Sequence, residues 1–279
     1  MQSVNPRTVQ KSSKIAIVAG NGDLPILVIE KCIQLGKPYF LIIIKDHGEY
    51  TMNKFKCDYT LKLNQIGKAL KVIKNNKIDE IIMIGSIQRP SLRDMIPDLW
   101  TAKFLAKIAS EPQGDDNILK NLSKELEYEG FKIIAPESFI TNSLSKKGLM
   151  GKIKSSKSHD EYMAKGFKIA KKFGELDIGQ SLVIENGLVL ALEAVEGTDE
   201  MIKRSFKYKK SNKHSILIKV FKTSQEKRID RPVIGVETVK LAFKYGFSGI
   251  ALEANEVLII DYEKTISIAD KKNIFIKGI

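Results

Sequence analysis

The densest chemistry in this 279-residue sequence lies in Lys222-Thr223-Ser224-Gln225-Glu226-Lys227-Arg228-Ile229-Asp230-Arg231-Pro232. Lys222, Arg228 and Arg231 supply charge that can neutralise a pyrophosphate, and Asp230 can bind a metal or orient a water for attack at phosphorus. A second segment, Glu193-Ala194-Val195-Glu196-Gly197-Thr198-Asp199, sets three acids within seven residues at the end of an apolar run. Hard oxygen donors at that density suit Mg2+, while helix capping by Thr198 or Asp199 explains the same residues without a metal. A third segment, Leu176-Asp177-Ile178-Gly179-Gln180, puts a carboxylate, a glycine and an amide just ahead of a strand. No serine, cysteine or histidine arrangement competes with these, because His47, His159 and His214 lack metal-ligand spacing and read as surface or loop residues.

Near the amino end, Ala19-Gly20-Asn21-Gly22-Asp23-Leu24-Pro25 follows an apolar run and precedes a helical pattern. In that context a glycine turn can approach phosphate oxygens and offer them helix N-terminal amides. The dinucleotide fingerprint is incomplete, with Pro25 where its third glycine would stand and no clear acid at the end of the second strand. A tight turn with Asp23 capping the helix and Pro25 in its first turn accounts for the segment equally well.

The elements that must position these residues can be read from periodicity. Strand-like runs at Ile15–Ala19, Tyr39–Ile44, Tyr59–Leu63, Ile81–Ile84 and Phe131–Ala135 alternate with helical spacing over Leu24–Leu35, Ile66–Asn76, Trp100–Ala109 and from Gly114-Asp115-Asp116 to Glu129. Such alternation predicts a parallel sheet with helices on both faces. After Pro136 the rhythm changes, which divides the chain into domains 1–136 and 137–279. Ser143–His159, rich in Lys, Ser and Gly, reads as an exposed connection into a helix from about residue 160 to 173. Val183–Glu185 and Leu188–Ala194 flank Asn186-Gly187, a strong hairpin signal. A second hairpin is expected around Asn255, between Ile250–Leu252 and Val257–Ile260. The second domain is thus expected to be α/β with antiparallel hairpins.

Composition narrows the partners. The formal charge is +13, yet lysine supplies 40 of the 46 basic residues and is scattered along the chain. Nucleic-acid readout favours clustered arginine, so the balance reads as solvated surface and nucleic acid is not an expected partner. Cys32 and Cys57 show no disulfide or zinc pattern. The longest apolar runs are strand-sized, and Met1–Lys14 lacks the apolar core of a signal peptide. These features lead to an expectation of a soluble cytoplasmic protein.

Taken in order, Ile17-Val18-Ala19-Gly20-Asn21-Gly22-Asp23-Leu24-Pro25, Gly85 with Arg89-Pro90-Ser91, Gly114-Asp115-Asp116, Leu176-Asp177-Ile178-Gly179-Gln180, Glu196-Gly197-Thr198-Asp199 and Arg228-Ile229-Asp230-Arg231-Pro232 resemble the LpxI-type UDP-2,3-diacylglucosamine diphosphatases, from Lys14 onward. The resemblance implies a Rossmann-like N-terminal domain, a family-specific C-terminal domain and a site between them. It also implies magnesium-assisted hydrolysis of UDP-2,3-diacylglucosamine to UMP and 2,3-diacylglucosamine 1-phosphate. Asp230 matches the aspartate on which hydrolysis depends. Mg2+ would be held by Asp230 with Glu196 or Asp199, and the transferring group by Lys222, Gln225 and Arg228. Gly20, Asn21, Gly22, Gly85, Arg89, Asp115, Asp116, Gly179, Gln180, Gly197 and Thr198 would line the substrate. Peripheral contact with the inner membrane and homodimerisation are further expectations. One departure stands out: Lys222-Thr223-Ser224-Gln225-Glu226 replaces the family's Lys-Pro-x-Gln-Asp. A nucleotide-sugar sensor without turnover and a nicotinamide-linked oxidoreductase are the competing readings.

Overall fold

The computed structural model describes residues 13–48, 52–87, 96–109, 115–210 and 214–279. Arg89, Pro90, Ser91 and Gly114 lie outside them, as does the side chain of Asp115. The chain divides into two compact units. One holds the described residues up to Lys107 together with Lys124–Phe139; the other holds Ile108–Ser123 with Ile140–Ile279.

In the first unit, Ile15–Ala19 (β1), Tyr39–Ile44 (β2), Tyr59–Leu61 (β3), Glu80–Ile84 (β4) and Lys132–Ile133 (β5) form an all-parallel sheet in the order β3-β2-β1-β4-β5. Their continuous β-branched runs follow from burial on both faces, as parallel sheets require: Ile15, Ala16, Ile17, Leu41, Ile42 and Ile82 are fully enclosed. Helices Asp23–Gln34 (α1), Ile66–Asn75 (α2) and Leu99–Ile108 (α3) accompany it. Leu24, Val28, Ile29 and Cys32 form the buried stripe of α1, and Gly36, at φ +62, ends it. The strand order is that of the doubly wound Rossmann pattern, whose switch point falls between β1 and β4. Asp115–Tyr128 (α4) follows.

The second unit is built on a mixed six-stranded sheet, β6-β13-β11-β9-β7-β8. Its strands are Gly148–Met150 (β6), Ser181–Glu185 (β7), Leu188–Leu192 (β8), Ser215–Lys219 (β9), Phe247–Leu252 (β11) and Phe275–Gly278 (β13). Alternation sorts its side chains. Leu182, Ile184, Ile216 and Ile218 face Met163 and Ala170 of the long helix Lys157–Glu175 (α5). Val183, Leu217, Ile250 and Ile276 face Met201 of Gly197–Ser205 (α6), Val239 of Val236–Lys244 (α7) and Ala269 of Tyr262–Lys271 (α8). Two short strands, Val233–Ile234 (β10) and Leu258–Ile259 (β12), pair parallel as a separate ladder.

The hairpin at Asn186-Gly187 forms as expected: both residues have positive φ, +49 and +76, and β7 pairs antiparallel with β8. The hairpin expected around Asn255 does not form. Asn255 turns the chain at φ +63, but β11 already has parallel neighbours, β9 and β13, on both edges. The returning segment therefore leaves the sheet and pairs with β10. Ser143–His159 is likewise more than an exposed connection. Ser145 is fully buried, bonding Glu253 O and Val257 O, and β6 adds an antiparallel edge to β13. His47 lies in a loop, as expected, but is buried there, whereas half-buried His159 is in a helix and closes a capping box with Ser156 at the start of α5.

Candidate active site

In the first unit, three loops meet at the carboxyl edge of the sheet. Asn21 and Ser86 exchange backbone hydrogen bonds of 2.9 Å, and Gly20 N donates to Ile84 O. Asn21 Oδ1 accepts the amide of Gly48 at 2.7 Å. A Cβ on Gly20 would lie 2.5 Å from Ser86 O, and one on Gly85, at φ +95, 2.8 Å from Asn21 O. The glycines are thus required by close backbone approach, and the amides of Gly20 and Asn21 are spent on protein carbonyls. Gly22, at φ +105, takes the N-cap position of α1, Asp23 is its first residue and Pro25 its third; Asp23 is not the cap.

In the second unit, the carboxyl ends of β9 and β11 face the end of α5. Past α5 the chain turns at Asp177, a non-glycine residue at φ +54, and runs through Gly179 and Gln180 into β7. Three residues beyond β9 stands Lys222, buried to 8 % exposure. Its ammonium lies 2.6 Å from Asp177 Oδ1 and 2.7 Å from Asp116 Oδ1. Asp116 comes from the first turn of α4, is 1 % exposed and also accepts from Ser224 Oγ at 2.6 Å. Burial pushes its carboxyl up to about 6, against the pull of Lys222 and Ser224. Burial likewise works against the Lys222 ammonium, but hydrogen bonds to Asp116 and Asp177 outweigh it and raise its pKa.

Gln225 is the hub of the loop. Its Oε1 accepts the amide of Lys222 at 3.0 Å, and its Nε2 donates to Gln180 Oε1 at 3.1 Å and to Asp230 Oδ2 at 3.0 Å. Every hydrogen-bonding position of the amide N–H2 is used, so this buried side chain fixes the direction of the Asp230 carboxylate. Glu226 accepts from Arg228 Nε and Nη2 at 2.9 and 3.0 Å, a bidentate pair that lowers its pKa. Arg231 is turned toward Glu256, 2.8 Å away. The loop is anchored behind by Lys171, which donates to Phe221 O at 2.7 Å and to Glu253, while Glu253 Oε2 accepts Phe221 N at 2.8 Å.

Beside this network, Thr198 Oγ1 donates to Glu193 Oε1 at 2.8 Å and accepts from the buried Lys219 ammonium at 2.7 Å. Thr198 and Asp199 do not cap α6; Glu196 occupies that position and Gly197, at φ +80, begins the helix. Glu196 pairs with Arg204 at 2.6 Å, and Asp199 is exposed. Asp230, Glu196 and Asp199 do not assemble into a three-ligand group, and no such group of His, Cys, Asp and Glu occurs among the described residues.

Of the residues singled out in the sequence, Lys222, Gln225, Asp230, Gln180 and Asp116 come together. Gly179 explains Gln180's placement, because a Cβ there would lie 2.3 Å from Glu193 O. The residues that sequence reasoning missed are Ser224, Lys219, Lys171 and Glu253. Asp177 lies in the segment Leu176–Gln180 ahead of β7, whereas Lys171 and Glu253 lie 82 positions apart and carry no local signal.

Comparison with known proteins gives two family-model matches and one curated relative. Residues 14–143 match the LpxI N-terminal domain and residues 146–277 the LpxI C-terminal domain. A curated relative, the UDP-2,3-diacylglucosamine pyrophosphatase LpxI of Caulobacter vibrioides, is 30% identical over 273 residues, covering 95% of this chain and 97% of the relative.

Proposed function

This chain belongs to the LpxI family, and we infer that it hydrolyses the pyrophosphate of UDP-2,3-diacylglucosamine in lipid A biosynthesis. Water adds to one phosphorus and the bridging P–O bond breaks. UMP and 2,3-diacylglucosamine 1-phosphate share the oxygen and protons of that water. The alternatives, a sensor without turnover and a nicotinamide-linked oxidoreductase, gain no support from a full-length relative named for hydrolysis.

The observation that carries the mechanism is the bond from Gln225 to Asp230 in a loop that also holds the buried Lys222, whose amide donates to the same Gln225. A pyrophosphate repels an incoming hydroxide, so the site must supply cations and an aligned carboxylate. Asp230 orients the water. An ammonium has three N–H donors, and two carboxylates occupy two on Lys222, which leaves one for a phosphate oxygen. Arg228 would exchange Glu226 for phosphate as substrate enters. UMP is a good leaving group, so no strong general acid is needed.

Magnesium belongs to this proposal. The ion commonly takes one or two carboxylates together with substrate phosphates, a set that Asp230 and the pyrophosphate can fill. Bound there, it would neutralise the phosphate oxygens as charge develops. Glu196, committed to Arg204, is left out of that set.

Peripheral membrane contact is also proposed. No helix among the described residues is long and apolar enough to cross a membrane. The substrate carries two acyl chains, and a net charge of +13 favours an anionic surface. Co-sedimentation with anionic but not zwitterionic vesicles, weakening with salt, would support this.

The deciding experiment is UMP release from UDP-2,3-diacylglucosamine by the native chain and by Asp230→Asn, with and without a chelator. Asn keeps an oxygen for Gln225, so substrate binding should persist while kcat falls by roughly 10²–10⁴. Undiminished release from the variant would remove Asp230 from the mechanism, and undiminished release under chelation would remove the metal.

A further inference from the structure

The turn that follows β11 carries two acids, Glu253 and Glu256, and between them they hold the catalytic loop at both ends. Glu253 takes the near end, accepting the amide of Phe221 and the ammonium of Lys171. Glu256 takes the far end. Its Oε2 accepts Arg231 Nη1 at 2.8 Å, its Oε1 accepts the Lys227 ammonium at 2.6 Å, and its backbone carbonyl accepts Arg231 Nη1 at 3.2 Å. One residue thus grips the chain on either side of Arg228-Ile229-Asp230, and Leu258 N, donating to Pro232 O at 2.8 Å, fixes the exit. Inside those grips the chain closes on itself, since Ile229 N and Asp230 N both donate to Glu226 O.

We propose that Glu256 is a positioning residue for hydrolysis: through Lys227 and Arg231 it fixes the backbone that carries Asp230, and Arg231 serves that purpose rather than phosphate binding. The inference rests on the function inferred above. Three observations support it. The first is placement. Gln225 aims the Asp230 carboxylate, but an aimed side chain is only as well placed as its backbone, and the residue next to Asp230 is the one that Glu256 holds. The second is environment. The Arg231 and Glu256 side chains are 11 % and 20 % exposed, so their pair is screened less than an open surface pair and is more than a solvated contact. The third is the stiffness of the support. Asn255 turns the chain at φ +63, and fully buried Ser145 fills the turn: its Oγ donates to Glu253 O at 2.6 Å and accepts Val257 N at 3.3 Å, and its carbonyl accepts Asn255 N at 2.7 Å. Ala254 N donates to Ile279 O at 3.0 Å, which ties the same turn to the end of the chain beyond β13. A turn bonded on so many sides transmits its own position to the loop it grips.

The test uses Glu256→Ala, which removes the grip, and Glu256→Gln, which keeps an acceptor for Arg231 and loses the charge. UMP release is measured for both, alone and combined with Asp230→Asn, at a temperature where every chain is folded, and amide hydrogen exchange over residues 226–230 is followed in the same preparations. Glu256→Ala should lower kcat about tenfold or more with KM within about twofold of native, Glu256→Gln should lose less, and the amides of Ile229 and Asp230 should exchange faster in Glu256→Ala. In the Asp230→Asn background the loss should shrink to within about twofold, because misplacing a group that no longer acts has little left to cost. A loss of undiminished size there would mark general destabilisation and overturn the proposal. Arg231→Ala should lower kcat as Glu256→Ala does, and the pair of substitutions should be no worse than either one. A KM raised about tenfold by Arg231→Ala with kcat intact would instead return Arg231 to the phosphate and overturn the proposal. A native chain that releases no UMP discards the hydrolase, whereas unchanged amide exchange in Glu256→Ala discards the grip.

Discussion

Gln225 gives one N–H of its amide to Asp230 Oδ2 at 3.0 Å and the other to Gln180 Oε1 at 3.1 Å, so the loop's key carboxylate is aimed by a side chain that has no spare donor. The third contact, from Lys222 N to Gln225 Oε1, closes the loop on itself. On the proposed mechanism Gln225 acts through Asp230, as a positioning residue. Gln225→Ala should lower kcat by roughly 10–100-fold and change KM little, as expected when a reacting group is misaligned by a fraction of its bond length. Steady-state kinetics check this. A KM effect with kcat intact would instead mean that Gln225 holds the substrate directly.

Asp116 makes the pH dependence of stability testable. Burial holds its carboxyl up at about 6 in the folded chain, compared with 3.8 for an exposed carboxyl. An acid whose folded pKa is raised contributes stability that is fully present below the unfolded value and lost as pH rises through the folded one. Between pH 4 and pH 6.5, native stability should therefore fall relative to Asp116→Asn by on the order of 2 kcal/mol. Lys222 is also raised, but from 10.5, so its window lies well above this range. Urea unfolding of both chains across these pH values gives the difference. A flat gap would show that Asp116 does not titrate there.

Local pattern was enough for much of this molecule. The first sheet was legible because its runs are continuous and β-branched, as burial on two faces demands, and the hairpin at Asn186-Gly187 because two positive φ angles need those residue types. The false hairpin at Asn255 had an equally good turn. What defeated it was that β11 has no free edge, a fact about β9 and β13 rather than about its own sequence. The site divides in the same way. Gln225 and Asp230 share one loop and were found together, whereas Asp116 and Lys222 meet from positions more than a hundred residues apart, and Asp116 was singled out only through a family resemblance. Ser224, at the position the family pattern leaves open, proves to be a partner of Asp116.

Glu196 provides a contrast with Asp230. Its carboxylate accepts from Arg204 Nε and Nη2, which ties the start of α6 to its end. Glu196→Gln should cost about 0.5–1 kcal/mol of stability, the usual worth of a partly exposed ion pair. The magnesium concentration giving half-maximal turnover should stay within about twofold of native, since one lost ligand would be expected to shift it far more. A tenfold shift would return Glu196 to the metal set.

Gly179 tests whether the backbone before β7 sets the catalytic loop. A Cβ there would stand 2.3 Å from Glu193 O and 3.0 Å from the Phe173 ring, and the nearer contact is backbone that cannot rotate away. Gly179→Ala must push residues 179–180 outward. Gln180 would then lose its grip on both Gln225 and the amide of Val220, at 3.1 and 2.9 Å, and Asp230 would lose its alignment in turn. The variant should be less stable by about 1–3 kcal/mol, with kcat reduced about tenfold or more at a temperature where it is fully folded. Gly249→Ala is the control, because its Cβ would strike the Phe275 ring at 2.3 Å in the amino half of β11. Destabilisation there should leave kcat of the folded fraction unchanged. Equal kcat losses in both variants would mean that general loosening, and not the path from Gly179 to Asp230, governs turnover.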